Sequence, residues 1–392
     1  MKCAGFVFGA VAVSLSIQQA HGATVSGTSA AAYQQEALIS GSVVSGGSFT
    51  TRIAYDGTNE SRGVYEFVLP TLPNGGSYNT VSLNYSVAET NSGSGAASRL
   101  RFFRFAGNGR YDSPDSTAVG TGILSPQFFT TGQYNTPLPA ADATSYSNAK
   151  KSFFGVTAWQ DNLGFRTGVG RGPSAGGAPT LSYAANVPDT GTLSTRAMVD
   201  VLATQSSGTY SLTEAGTSIN TQETLNGSTN RRGILEFNLN GLPVGATITS
   251  ATLKFDVATF TRSTVDSINY EYANPRIYGY NGNGVADGNT SATPDATRVT
   301  NLIATGNDVT ALGEYSITLD PNDVQALLGP NNIVGMLVRS SDQQQFSFYT
   351  SDSTDVNNVP VTLDITYAIP EPTALAGLAM VTAGLLSRRR KM

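Results

Sequence analysis

The chain has 392 residues, and 23 basic against 28 acidic side chains leave it a formal charge of −5 at neutral pH. That balance, with no basic stripe in the body, gives nucleic acid no field to follow. Charged residues are 13% of the chain, against about 25% in ordinary soluble domains; Ser, Thr, Asn and 42 Gly hold the polar positions instead, as in a secreted β-rich protein.

At the start, Met1-Lys2 leads into the apolar run Cys3–Ile17 and then Ala20-His21-Gly22. Small residues at −3 and −1, Ala20 and Gly22, predict cleavage before Ala23, so residues 1–22 read as a signal peptide for the Sec machinery. The chain's one Cys and one His, Cys3 and His21, both lie inside it. A body without either excludes Ser-His-Asp and Cys-His nucleophile activation. It also excludes disulfides and the usual zinc, haem and iron–sulfur ligand sets. Carboxylate chemistry and hard cations with oxygen ligands remain.

The body reads as a tandem duplication: residues 23–186, a linker at 187–197, and residues 198–368. Ser61–Leu69 matches Arg231–Leu239, with Arg, Gly, Glu, Phe and Leu coinciding at an offset of 170. The same offset carries Leu83–Ala88 onto Leu253–Ala258. Arg101–Gly109 then matches Arg276–Gly284 at an offset of 175, which predicts a five-residue insertion in the second copy. Near the ends, Tyr183-Ala184 answers Tyr367-Ala368.

Within each copy the periodicity is that of strands. Val81, Leu83, Tyr85 and Val87 alternate with small or polar residues, and Ala251, Leu253, Phe255 and Val257 repeat the pattern, as expected of a half-buried strand. Tyr65, Phe67 and Leu69 face one way, with Val64, Glu66 and Val68 opposite. Ile333–Val338 is a continuous apolar run, the mark of a strand covered on both faces. One helix is predicted: Asp320 caps it, Pro321 takes the first position, Val324, Ala326, Leu327 and Leu328 pack inward, and Gly329-Pro330 ends it. The predicted fold class is all-β: two tandem jelly-roll-like β-sandwich domains.

Arg232–Leu239, Leu242-Pro243 and Gly245–Leu253 together resemble the opening of the DNRLRE-type domain, a family of extracellular β-sandwiches similar to carbohydrate-binding modules. Phe346–Asp352 and Pro360–Tyr367 suit its closing strands. The Trp-marked middle of that family has no counterpart here. The resemblance therefore implies a fold and leaves the ligand open.

Residues 369–392 carry Pro370-Glu371-Pro372, an uncharged apolar run over Ala374–Leu386, and the basic cluster Arg388, Arg389, Arg390 and Lys391. The run is short for a span of ~20 residues, and reads as a short C-terminal transmembrane helix. Its basic flank stays cytoplasmic by the positive-inside bias, leaving the body on the outer side of the inner membrane. The order of motif, run and basic stop resembles the PEP-CTERM sorting signal. That resemblance implies an exosortase as partner and a destination at the cell surface or extracellular matrix of a Gram-negative-type bacterium.

Candidate sites follow from this frame. Trp159, Phe103, Phe105, Tyr278 and Tyr280 are aromatics on which a sugar of an extracellular polysaccharide could stack; their period-2 positions equally place them in a core. Arg62 and Arg232 recur before the same strand, either gripping a carboxylate or solvated. Asn283, Asp287 and Asn289 cluster in one Gly-rich loop and Asp352, Asp355 and Asn357 in another, with oxygens suited to a structural calcium. The expected function is a non-enzymatic structural or adhesive component of exopolysaccharide or biofilm, with carbohydrate binding as its means. The alternative is a polysaccharide hydrolase or lyase working through a carboxylate pair, for which the recurring Glu66 and Glu236 are the candidates.

Overall fold

The computed structural model describes residues 23–38, 43–44, 50–55, 60–91, 99–107, 122–127, 130–151, 153–161, 165–170, 177–206, 209–214, 218–222, 230–261, 263–265, 268–270, 274–286, 295–298, 300–340, 345–350 and 360–370. The first segment holds β1 (Ala23–Leu38), β2 (Val43–Val44), β3 (Thr50–Tyr55), β4 (Glu60–Val68), β5 (Ser77–Asn91), β6 (Leu100–Gly107), β7 (Ile123–Leu124), β8 (Gly132–Leu138), helix α1 (Ala140–Asn148), β9 (Phe153–Gln160), β10 (Phe165–Gly170) and β11 (Thr180–Val187). In the second segment are β12 (Thr190–Ser206), β13 (Thr209–Glu214), β14 (Ser218–Gln222), β15 (Arg231–Asn238) and β16 (Thr247–Thr261). A small hairpin, β17 (Ser263–Val265) and β18 (Ile268–Tyr270), precedes β19 (Pro275–Asn281) and β20 (Leu302–Thr305). Last come β21 (Gly313–Leu319), α2 (Pro321–Ala326), β22 (Ile333–Ser340), β23 (Gln345–Tyr349) and β24 (Thr362–Ala368).

Each segment makes its own 11-stranded sheet. The first runs β2-β1-β11-β5-β10-β3-β4-β9-β6-β7, with β8 on β5. The second runs β13-β12-β24-β16-β23-β14-β15-β22-β19-β20, with β21 on β16. Strand for strand in chain order these are the same topology, and each helix follows the same strand. Apart from α1 and α2 the described chain is all-β, an arrangement compatible with a β-sandwich. The hairpin β17–β18 has its place where the offset between copies lengthens, between β16 and β19.

One long strand closes each unit. β1 pairs with β11 over Ala23–Ala30, slips at a bulge between Ala31 and Tyr33, and continues against β4. β12 does the same, passing from β24 to β15 with its slip between Ala197 and Val199. A bulge bends a strand and sharpens its twist, so one strand can serve two faces. Two further slips recur: β5 passes over Ala88 and Asn79, and β16 over Ala258 and Thr249, 170 residues later in each case.

Inside each unit the inward faces pack into one core. Tyr65, Phe67, Leu69, Leu83, Tyr85, Phe102 and Leu181 belong to the first; Leu235, Phe237, Leu239, Leu253, Phe255, Phe348 and Leu363 belong to the second. The expected alternation holds in β5 and β16, and Ile333–Val338 is buried throughout. The turns before β5 and β16 are also shared. Gly75 and Gly245 have φ of 85° and 81°, and Gly76 and Ala246 donate back to the carbonyls of Pro73 and Pro243. Such a turn needs a positive φ at its third residue, which is where glycine stands.

Three expectations are corrected in detail. The interval 187–197 is mostly strand rather than linker, since only Pro188 and Asp189 separate β11 from β12. Those two residues are pinned by the Tyr367 hydroxyl, which donates to the Pro188 carbonyl at 2.7 Å, and by Ile369 N–H, which donates to Asp189 at 2.8 Å. The match of Tyr183 to Tyr367 is out of register by two residues. Leu181 lies opposite Leu83 as Leu363 lies opposite Leu253, so Tyr183 corresponds to Ile365. In α2, Asp320 caps Asn322 N–H at 2.8 Å and Val324 and Leu327 are buried, but Ala326 is exposed. The helix is one and a half turns long, too short to present four residues to the core.

Helix α1 was not read from the sequence. It lacks a side-chain cap and buries only Ala143 and Ser147. Ala143 joins the core and Tyr146 packs on Phe154, while the Thr144 hydroxyl accepts from Tyr78 N–H at 3.0 Å. In the second copy Gln325 of α2 accepts from Ile248 N–H at 2.9 Å, the same tie at the start of the corresponding strand.

Two measurements check this architecture. Phe237→Ala empties a site with no exposure and should cost about 3–5 kcal/mol in denaturant unfolding. Gly245→Ala meets open space but keeps a φ of 81°, so only the backbone term of about 1–2 kcal/mol is expected.

Candidate functional site

On β4 and β15 the residues facing away from the main core include Glu66 and Glu236, both with no exposure. The face they occupy is covered. Around Glu236 a second cluster packs Ala203, Tyr210, Ile234, Tyr278, Tyr280 and Leu337. A carboxylate in such surroundings needs donors, because leaving it unpaired costs several kcal/mol.

The donors come from a turn. Gly284 N–H donates to Glu236 Oε2 at 2.6 Å and Asn283 N–H donates to Oε1 at 3.3 Å. The approach is possible because residue 282 is glycine: a Cβ there would lie 3.0 Å from the Glu236 carboxyl carbon. At the corresponding Gly107 a Cβ would lie within 2.4 Å of the Glu66 carboxylate. In both copies the recurring Glu lies against the recurring glycine, and in the second its carboxylate is set against the turn that ends β19.

A third part completes the row. Glu66 lies opposite Gly155, which lies opposite Phe105; Glu236 lies opposite Gly335, which lies opposite Tyr280. A Cβ on Gly155 would stand 2.3 Å from the Phe105 ring, and one on Gly335 2.2 Å from the Tyr280 ring. In both copies an aromatic lies across a glycine on the neighbouring strand, beside the glutamate. The signal was present in the sequence, since Gly155 and Gly335 each interrupt an apolar strand.

Burial pushes the Glu236 carboxyl up from its ordinary value to about 7, with the nearby Asp295 adding to the rise and the two turn amides opposing it. Asp295 is itself 1% exposed and pairs with Arg298 at 2.9 Å. The Arg298 guanidinium lies 5.1 Å from the centre of the Tyr280 ring. The Tyr280 hydroxyl is held well above its usual range by burial and then by the charges of Glu236 and Asp295. Asp295 and Arg298 went unnoticed in the sequence because they sit on a single 3-10 turn, outside any hydrophobic period.

The expected ligand residues can now be placed. Tyr278 and Tyr280 are 7% and 5% exposed, so neither offers a ring face to a sugar. Phe103 is buried as well. Trp159 is half-buried at the end of β9, with the Arg62 guanidinium 3.3 Å from its ring centre and the Phe103 ring at 4.4 Å. Arg62 also pairs with Glu60 at 2.7 Å; Arg232 instead lies 5.0 Å over Tyr210. Asn283 spends its side-chain oxygen on Val285 N–H at 2.9 Å, a turn closed on itself. Among the described residues no group of three or more acidic, His or Cys side chains could hold a metal ion.

The remaining candidates lie outside the described residues: Ala20, Gly22, Asp287, Asp352, Asp355, Glu371, Pro372, Arg388, Arg389, Arg390 and Lys391. Ala23 opens β1, and Pro370 is exposed just past β24. Among the described residues no helix is long and apolar enough to cross a membrane.

As a carboxylate pair, Glu66 and Glu236 belong to different sheets and each is buried. The arrangement around Glu236 positions a loop.

The Glu236 carboxyl ionises more readily in the unfolded chain than in the fold. Its folded pKa is raised, so the stability linked to it is full below about pH 4.5 and is lost as pH rises toward 7. The loss over that window should be on the order of 3 kcal/mol. Denaturant unfolding across pH 4–8 should show this fall in the natural chain, and Glu236→Gln should flatten it. Separately, Gly335→Ala should destabilise by about 1–3 kcal/mol through overpacking against Tyr280.

No family model matches the chain, and no curated protein matches it. Among solved structures, the cryo-EM structure of T=3 Penaeus vannamei nodavirus aligns over 94% of this chain and 97% of that one, at 10% identity and a TM-score of 0.18. At that score the alignment carries no argument about fold or function.

Proposed function

We propose that this is an exported protein of the cell surface or extracellular matrix, built as two jelly-roll-like sandwiches and sorted by the segment over residues 369–392. The observation that carries this is the order Pro-Glu-Pro, uncharged run, basic cluster, which resembles a PEP-CTERM signal and fits recognition by an exosortase in the inner membrane. The segment before Ala23, with its small residues at −3 and −1, supports export by the Sec route.

The role is structural or adhesive, within exopolysaccharide or biofilm. Its support is the nature of what the two copies share: bulges, turns, core positions and a buried glutamate against a glycine. These are devices that hold a module together. Glu66 and Glu236 have no exposure, which favours this reading over hydrolysis or lysis by a carboxylate pair reaching around a substrate.

The sorting role is tested by replacing Pro370, Glu371 and Pro372 with alanine in the producing cell. The altered chain should accumulate in the inner membrane fraction, and unchanged release into biofilm or medium would sink the assignment. Glycan-array binding by the purified protein tests the sugar-binding part independently of export.

A further inference from the structure

Where the two units meet, the turn at residues 71–74 lies against the first half of β12. Asn74 N–H donates to the Thr192 carbonyl at 2.9 Å, its side-chain amide reaches the Thr192 hydroxyl at 2.7 Å, and Thr71 and Thr195 touch through their hydroxyls at 3.4 Å. Beside this contact opens a cleft of about 350 Å³, walled on one side by the end of α1 and on the other by β12, β16, β21 and β24. That volume is within the ~300–1,000 Å³ of ordinary small-molecule sites.

Its lining is unusual for this chain. Lysine occurs only three times between residues 23 and 369, at Lys150, Lys151 and Lys254. Two of those three line the cleft, together with Arg196, Glu314 and Asp364. Lys254 pairs with Asp364 at 2.9 Å, and both side chains are about one third exposed. Asn148 and Thr362 add an amide and a hydroxyl.

The duplication supplies an internal control. Across the same ladders, Lys254 corresponds to Asn84, Asp364 to Ser182, Glu314 to Gln133 and Arg196 to Ala30. Every charged strand position of the cleft is neutral in the first copy, where Asn84 donates to Ser182 at 2.7 Å. The fold does not need these charges. Lys150 makes the same point from the other wall: it follows α1 with φ at 57°, in the left-handed region. The second copy places Asn332, with φ at 50°, between its helix and the next strand. Asparagine tolerates that conformation and lysine is a costlier choice.

We propose that this cleft binds an acidic sugar, one hexuronate residue of a polysaccharide, with Arg196 and Lys150 taking the carboxylate and Asp364, Glu314, Asn148 and Thr362 taking the hydroxyls. The proposal rests on the sugar-binding part of the reading above and names its ligand class and place. Carboxylates beside cations match a ligand that carries both hydroxyl donors and one negative charge. Phosphate, which offers acceptors only or a single donor, would leave Glu314 and Asp364 repelling it.

The test is calorimetric titration of the full chain with hexuronate oligomers, with neutral gluco-oligomers and inorganic phosphate as comparators. Hexuronate should bind, more weakly as salt rises, and phosphate should not. Lys150→Gln with Arg196→Gln should weaken hexuronate by about tenfold or more, the loss expected for a charge-assisted contact, at an unchanged melting temperature. Should that pair unfold the protein, Lys254→Asn with Asp364→Ser, the residues of the first copy, should weaken binding to a similar extent in a chain that folds. Failure to bind hexuronate, preference for phosphate, or full affinity in the folded variants would overturn the site. Neutral oligomers bound equally by the natural chain and the variants would leave sugar binding standing while removing this cleft from it. Silence toward every glycan would remove both.

Discussion

Each unit depends on a single strand serving two ladders. β1 and β12 are long enough to start in one part of the sheet and finish in another, and a bulge in the middle lets them turn. Without that change of partner, β4 and β11, or β15 and β24, would end as open edges over the core. Closure by a bent strand removes exposed edges that would otherwise pair with other chains. It also requires the slip to fall at one place, because a shift of one residue would turn every inward side chain outward.

The second consequence of closure is that β4 and β15 are covered on both sides. Their outer residues cannot stay solvated, and the chain meets this by pairing polar groups with backbone. Glu236 takes two amides from the turn at the end of β19, and the adjacent glycines at 282 and 335 give the carboxylate and the Tyr280 ring room. The cost is a carboxyl that holds its proton up to about pH 7. The benefit is a loop fixed by hydrogen bonds to a buried carboxyl, in a body that has no cysteine to staple it.

Duplicated structure separates what the fold demands from what it tolerates. Positions kept in both copies are those that touch the core, the bulges, the turns and the buried glutamate. Four positions that differ in charge, Arg196, Lys254, Glu314 and Asp364, gather on one wall of the junction between the units. The shared features are architectural, and the junction is where two similar modules create a surface that neither has alone.

Much of this was legible before any coordinates. The alternation in β5 and β16, the apolar run of β22, the cap of α2 and the offset of 170 all follow from side-chain period and self-similarity, which are local properties. Even the inserted hairpin was marked by the offset growing to 175. The paired glutamates were visible as a repeat, but not their depth, since burial depends on what folds over a strand. Helix α1 escaped because it offers the core few apolar side chains and its polar ties reach residues far along the chain. The exposed state of Ala326 and the true register of β24 against β16 were settled by packing and hydrogen bonding across strands.

By itself, then, the sequence determined an all-β chain in two copies, because period and repetition need no knowledge of neighbours. Tertiary structure alone decided which glutamate faces which turn, that Asp295 stands beside Glu236, that Arg62 covers Trp159, and that Lys150 and Lys254 share a cleft. Those are meetings between residues from 41 to 104 positions apart, and a closed ladder brings together what no local rule relates.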